Sequence, residues 1–159
     1  MNKQALLDQI IAVLAAEIDT LASAAKDARH AATDDESRSE DKHDTRAIEA
    51  SYLADGQERA ALEAKEALAA YRTLAVRAFG PDEPVALSAL LELEVGRQRE
   101  LYFVGPSRGG LLVQHDGREV LVITPQSPIG RKLLGRRLGD VIKFEGPRAP
   151  HDGRILAVE

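Results

Sequence analysis

Between Leu7 and Ala28 the apolar positions fall at Leu7, Ile11, Leu14, Ile18, Leu21, Ala25 and Ala28. The steps alternate between four and three residues, which puts all seven on one stripe of an α-helix. Sustained over more than three heptads, such a stripe is a coiled-coil seam. Charged residues (Asp8, Glu17, Asp19, Lys26, Arg29) flank it, and the small alanines at its end let a partner helix approach closely. A second helix is predicted from Thr45 to Phe79 on a weaker, alanine-rich pattern: Leu53, Ala60, Ala64, Ala67, Tyr71, Leu74 and Ala78. A helix with one apolar stripe cannot bury it alone. The two are therefore expected to pack as an antiparallel hairpin. Pairing with a second copy in a continuous coiled coil is the alternative, and the polar break at 33–44 favours the turn.

The pattern changes at Phe79-Gly80-Pro81, which reads as a helix stop: a glycine suited to the left-handed position, then a proline that cannot continue the helix. Beyond it come apolar runs at Val85–Val95 and Leu101–Val104, then a loop at Gly105–Gly110. Leu111–His115, the turn Asp116-Gly117 and Glu119–Ile123 predict a hairpin. Ser127-Pro128 opens a short helix, with serine as cap and proline in the first turn. Leu133-Leu134 is its buried face and Gly135 its stop. Val141–Phe144 and Arg154–Val158 complete a sheet. The chain is thus expected to be α+β. Residues 1–79 form a helical hairpin, and residues 80–159 form a mostly antiparallel sheet crossed by one short helix.

Composition supports the division. Residues 80–159 hold all 7 prolines and 11 of the 12 glycines. Charge divides there too: residues 1–79 carry 10 Lys/Arg against 15 Asp/Glu, and residues 80–159 carry 11 of each. Cysteine is absent, which removes disulfides and thiolate metal sites from consideration. Aromatic residues make up 4% with no tryptophan, which argues against a single-strand nucleic-acid platform and an aromatic-lined pocket. The neutral C-terminal half disfavours duplex-DNA binding. No apolar run approaches a membrane span, and Met1-Asn2-Lys3-Gln4 leads straight into a helix pattern without a signal-peptide core. A cytoplasmic monomer is expected.

The break at 33–44 holds six carboxylates and two permanent cations, with Thr33 and Asp44 or Thr45 as candidate caps. A solvated loop is the ordinary reading of such a run. Its position at the end of a hairpin gives another: a carboxylate tip shaped to reach into a partner.

The stretch Ser127-Pro128-Ile129-Gly130-Arg131-Lys132-Leu133-Leu134-Gly135-Arg136-Arg137-Leu138-Gly139-Asp140 resembles the signature of the bacterial Gre transcript-cleavage factors. The strand Leu121-Val122-Ile123 before it fits as well. Motif-level likeness covers about residues 121–144, and the likeness in architecture covers the whole chain. The resemblance implies a C-terminal domain of FK506-binding-protein-like fold that docks on bacterial RNA polymerase. It also implies a hairpin entering the secondary channel, and tip carboxylates that help hold a Mg2+ ion shared with the polymerase active site, beside the transcript 3′ end. The protein itself would be no enzyme. The tip residues so implicated are Glu40 and Asp41, with Glu36 and Asp35 nearby, and Glu40 and Asp41 are the metal candidates. The docking candidates are Arg131, Lys132, Arg136 and Arg137. The family's tip reads Asp-x-x-Glu-Asn, whereas Ser37-Arg38-Ser39-Glu40-Asp41 stands here. Glu40 keeps the family glutamate, Ser37 replaces the aspartate, and a hydroxyl is a poor magnesium ligand beside a carboxylate. Cleavage stimulation and a cleavage-inactive regulator therefore both stay open. So do a coiled-coil protein with another partner and, more remotely, a peptidyl-prolyl isomerase. A metal site at Glu40, His43 and Asp44 is a further reading. Tyr102, Phe103 and Phe144 are assigned to the core.

Overall fold

The computed structural model describes residues 2–38, 45–144 and 151–159, without the side chains of 32, 34–38, 45–47 and 151. The elements run α1 (Lys3–Arg38), α2 (Thr45–Arg72), β1 (Leu90–Val95), β2 (Gln98–Val104), β3 (Leu112–His115), β4 (Arg118–Ile123), α3 (Pro128–Leu133), β5 (Val141–Phe144) and β6 (His151–Val158). They form two compact units, one of Ile11–Ala69 and one of Met1–Ile10 with Ala70–Glu159.

In the helical unit, Arg29 Nη2 on α1 meets Glu58 Oε2 on α2 at 2.6 Å. That contact sets the helix direction. Were α2 parallel to α1, Arg38 and Thr45 would stand about 33 Å apart at about 1.5 Å per helical residue. Seven residue steps reach only about 25 Å. The helices are therefore antiparallel. The α1 stripe is buried or half-buried at all seven expected positions. The expected α2 stripe is buried at Ala64, Ala67 and Tyr71 and half-buried at Ala60 and Leu74, and it fails at its two ends, Leu53 and Ala78. Leu53 is 57% exposed, and the buried positions are Ala54, Ala61, Ala64, Ala67, Leu68 and Tyr71. Leu68 and Tyr71 are the large buried side chains of α2, and they set its rotation. Counting back from them in heptad steps lands on Ala64, Ala61 and Ala54, past Leu53.

Both helix ends differ from expectation near polar stretches. Backbone helix continues through Thr33 to Arg38, so α1 runs into the predicted break. Thr33 lies inside this helix and its hydroxyl donates to Arg29 O at 2.9 Å, one turn back. The second helix stops at Arg72 instead of Phe79. The Thr73 hydroxyl donates to Ala70 O at 3.1 Å, a local bond that competes with helix continuation. Residues beyond take tertiary partners. The Lys3 ammonium donates to Arg77 O and lies 4.8 Å from the centre of the Phe79 ring. The Arg77 guanidinium lies over the same ring, 3.8 Å from its centre. Burial pulls the Lys3 pKa down, with Glu159 opposing and Arg77 adding to the shift. Gly80, the expected stop, instead closes a turn in which its N–H donates to Glu83 Oε2 at 3.1 Å.

The sheet has the order β3-β4-β2-β1-β6-β5. Every pairing is antiparallel except β2 with β4, which lie parallel on either side of the excursion through β3. Asp116 and Gly117 both take positive φ (51° and 73°), as a two-residue hairpin turn requires. Alternation along the strands sends Leu91, Leu93, Tyr102, Val104 and Ile155 to one core face, which Leu133 of α3 covers. Leu90, Phe103, Val120 and Val122 alternate to the other face and are buried as well. Tyr102, Phe103 and Phe144 all lie in the core, as the sequence suggests.

The Tyr71 hydroxyl donates to Ser107 O at 2.7 Å, and burial holds the phenol well above its ordinary pKa. A Cβ on Gly105 would collide with that hydroxyl and lie 3.1 Å from Val122 Cγ1. Gly105→Ala is therefore expected to cost about 1–3 kcal/mol, the usual scale of overpacking. Adding Tyr71→Phe should recover part of the loss, because it removes the clashing atom. Urea midpoints of the two single variants and the double variant check this; strict additivity would count against the clash.

Candidate functional site: a capped helix and its basic segment

The C-terminal site is built on a tight turn into α3. Ser127 Oγ accepts from Gly130 N at 3.0 Å and donates to Thr124 O at 2.8 Å. Ser127 is extended (φ −66°, ψ 153°), and Pro128 enters the first turn, where no N–H is needed. A Cβ on Gly130 would run into the Thr124 carbonyl, which explains a small residue at the third place after the cap. Leu133 is fully buried. Gly135 has φ 77° and turns the chain away, its N–H donating to Val85 O at 2.9 Å. Serine, proline, glycine and leucine thus each have a separate mechanical reason in this motif.

The basic side chains hang from that frame. Lys132 is half-buried, and its ammonium donates to Lys143 O at 3.0 Å. Arg136 Nε reaches Lys132 O at 3.4 Å. The Arg137 guanidinium donates to Asp82 O, and its backbone N–H donates to Asp140 Oδ2 at 2.9 Å. Arg131 is exposed. The structure therefore gathers Lys132 and Arg136 beside β5, sends Arg137 toward Asp82, and leaves the Arg131 head toward solvent.

Of the tip candidates, Asp35 and Glu36 sit on the last turns of α1, and their side chains are outside the described ones. Glu40 and Asp41 lie outside the described residues, as do His43 and Asp44. Among the described residues no three His, Asp or Glu side chains gather as a metal site. As a donor set, Glu40 and Asp41 offer carboxylate oxygens, which are hard donors of the kind magnesium takes.

Residues 89–159 match the family model described as "Transcription elongation factor, GreA/GreB, C-term". That match contains the whole Ser127–Gly135 frame. Over that stretch, 71 of its 159 residues, the chain is Gre-like.

Among curated proteins, this Gre-like chain is similar to the "Transcription inhibitor protein Gfh1" of Thermus thermophilus. The two are 28% identical over 127 residues, which is 76% of this chain and 74% of that protein. The protein of the same name from Thermus aquaticus is 30% identical over 82 residues. There the match spans 50% of this chain and about half, 49%, of the relative's length. "Transcription elongation factor GreA" of Thermotoga petrophila is 29% identical over 66 residues, covering 42% of this chain and 38% of that one. Among solved structures, Thermus aquaticus Gfh1 superposes with a TM-score of 0.42 at 20% identity, covering 92% of this chain and 91% of that one.

Sequence reasoning missed two features. His115, at the end of β3, is buried, with Nδ1 2.7 Å from Gln9 Oε1. It ties the start of α1 to the sheet, and only its place in an alternating strand hinted at that. The second is an open groove of about 640 Å³ between the helices of the hairpin unit, rimmed by Lys26, His30 and Lys65. Its signal was present: 22, 25, 26, 29, 30 and 33 recur at helical spacing beside the alanine seam.

Proposed function

We propose that this Gre-like protein is a regulator of bacterial RNA polymerase. In this reading the C-terminal domain docks at the rim of the secondary channel and the hairpin carries its carboxylate tip inward, toward the transcript 3′ end. The observation that carries the reading is the Ser127–Gly135 frame inside the GreA/GreB family match, with its basic segment displayed beside it. The protein acts as a cytoplasmic monomer and is not itself an enzyme; the chemistry belongs to the polymerase. The Mg2+ it reaches is shared with the polymerase active site. There the ion would supply Lewis-acid chemistry for phosphoryl transfer. Glu40 and Asp41 are the residues that would hold it, while Asp35 and Glu36 add to the negative field behind them.

Two observations favour a modulatory or inhibitory factor over a stimulator of cleavage. Ser37 stands where the cleavage-factor motif has an aspartate. Two relatives that match 76% of this chain are named transcription inhibitors. A paired assay on stalled polymerase separates the readings: transcript cleavage and transcript extension, each with and without the protein. Slowed extension without added cleavage is the expected result. Vigorous Glu40-dependent cleavage would mean that a stimulator survives the serine substitution.

Docking through the basic segment also predicts salt sensitivity, since exposed charges are screened over about 10 Å at about 0.1 M salt. Arg131→Ala should weaken polymerase binding and flatten its dependence on salt, with the melting curve unchanged. Competition binding at two ionic strengths reads this. An unchanged salt slope would remove Arg131 from the interface.

A further inference from the structure

The groove on the hairpin unit has a composition unlike the acidic helices around it. Its floor is Ala25 and Ala61, both buried, with Ala22 and Leu62 as its aliphatic walls. It exists because the seam residues are alanines, too short to fill the space between the helices. Its rim carries Lys26, His30 and Lys65 from two helices. None of these three is paired with a carboxylate among the described residues. The one lining carboxylate, Glu58, is already engaged by Arg29 at 2.6 Å. Thr33 closes one end, its hydroxyl donating to the backbone of Arg29.

Two lysines and an imidazole thus face an aliphatic trough, on a half-chain whose formal charge is −5. The local reversal of sign selects an anion. The alanine floor accepts a flat or aliphatic body with little desolvation cost to either side. The volume lies within the roughly 300–1,000 Å³ range of small-ligand pockets. A docked helix is disfavoured, because it wants a large apolar ridge on both sides, and Leu62 is the only large apolar wall residue. We propose that the groove between α1 and α2 at Lys26, His30 and Lys65 binds a nucleoside polyphosphate, with its phosphates on the cationic rim and its nucleoside on the alanine floor. The site lies wholly within the hairpin unit, so the proposal stands whether or not the protein engages polymerase.

The test is calorimetric titration of the full chain with GTP in magnesium-free buffer, with inorganic triphosphate and guanosine as separate arms. One-to-one GTP binding is expected, with triphosphate binding more weakly and guanosine weaker still. Lys26→Ala/Lys65→Ala should weaken GTP binding by about tenfold or more, the scale of losing charge-assisted hydrogen bonds. Both side chains are exposed, so the thermal melt should not move. Ala22→Tyr, at another exposed position, should obstruct the floor and weaken GTP more than triphosphate. Absence of GTP binding at millimolar concentration would overturn the proposal, as would GTP binding indifferent to the lysine pair. Triphosphate binding as tightly as GTP would remove the role given to the floor. An acidic helical peptide displacing GTP-free probe anions, where GTP itself does not bind, would assign the groove to a protein partner instead.

Discussion

Glu40→Ala, made together with Asp41→Ala, is expected to abolish the protein's magnesium-dependent effect on stalled polymerase while leaving polymerase affinity nearly unchanged. The argument is chemical. Magnesium takes hard oxygen donors, and in the proposed function the tip's oxygens are the means of reaching an ion held by the polymerase. Removing groups that support a metal site typically costs about 10–100-fold in affinity or activity. The variant should therefore lose its effect by at least that order at saturating protein. The proposal assigns affinity to another part of the chain, the basic segment beside α3, so affinity should survive. Extension and cleavage rates, measured alongside competition binding, separate the two. Equal loss of function and affinity would show that the tip is a docking surface and not a chemical one. Ser37→Asp is the complementary change. It restores the family's second tip carboxylate, and it should move the protein toward cleavage if register at the tip matches that of the cleavage factors.

The second large effect lies in the fold. Leu133→Ala should destabilise the C-terminal unit by about 2–5 kcal/mol, the range for deleting most of a buried leucine. Leu133 is fully buried among strand residues of the core face. Helix α3 has only six residues, far too few to hold helical form by propensity alone. Its shape depends on the Ser127 cap at one end and the Leu133 anchor at the other. Lys132 and Arg136 hang from the same turn. Their positions, and with them polymerase binding, should loosen as the anchor is lost. Arg131→Ala, two residues away at an exposed position, should change stability by no more than about 0.5 kcal/mol. Chemical denaturation of the two variants gives a direct contrast. Equal midpoints would mean that α3 is held by something other than Leu133.

Much of the architecture was legible along the chain because local chemistry and tertiary packing ask for the same thing there. The α1 seam could be read residue by residue, since leucine and isoleucine leave little choice of buried face. The Asp116-Gly117 turn and the Ser127-Pro128 helix start were legible because each needs particular backbone angles or a particular missing N–H, and few residues supply them. The α2 seam was legible at Ala64, Ala67 and Tyr71 but not at its N-terminal end, where Ala54 and not Leu53 is buried. In an alanine-rich helix several faces are nearly equal in hydrophobicity, and the choice fell to Leu68 and Tyr71 seating in the packed structure. The end of α2 was likewise misjudged: Phe79-Gly80-Pro81 is a sound stop signal, but Lys3, Arg77 and Phe79 come together only in three dimensions.

The candidate sites divide in the same way. The Ser127–Gly135 motif was visible as letters, yet why Gly130 must be small required the Thr124 carbonyl beside it. The basic residues were visible as a run, but their separate fates, Lys132 onto Lys143 O and Arg137 onto Asp82 O, required the return of β5 and the approach of the segment between α2 and β1. What the sequence determined alone is the order of elements, the helical seam of α1 and the identity of the family motif, because these rest on periodicity and on residues with special backbone needs. What only the tertiary structure decided is which residues of the first half of α2 are buried, where that helix ends, and that Lys26, His30 and Lys65 share one groove. Those outcomes depend on side chains far apart in the chain competing for the same volume, and no local pattern records who wins.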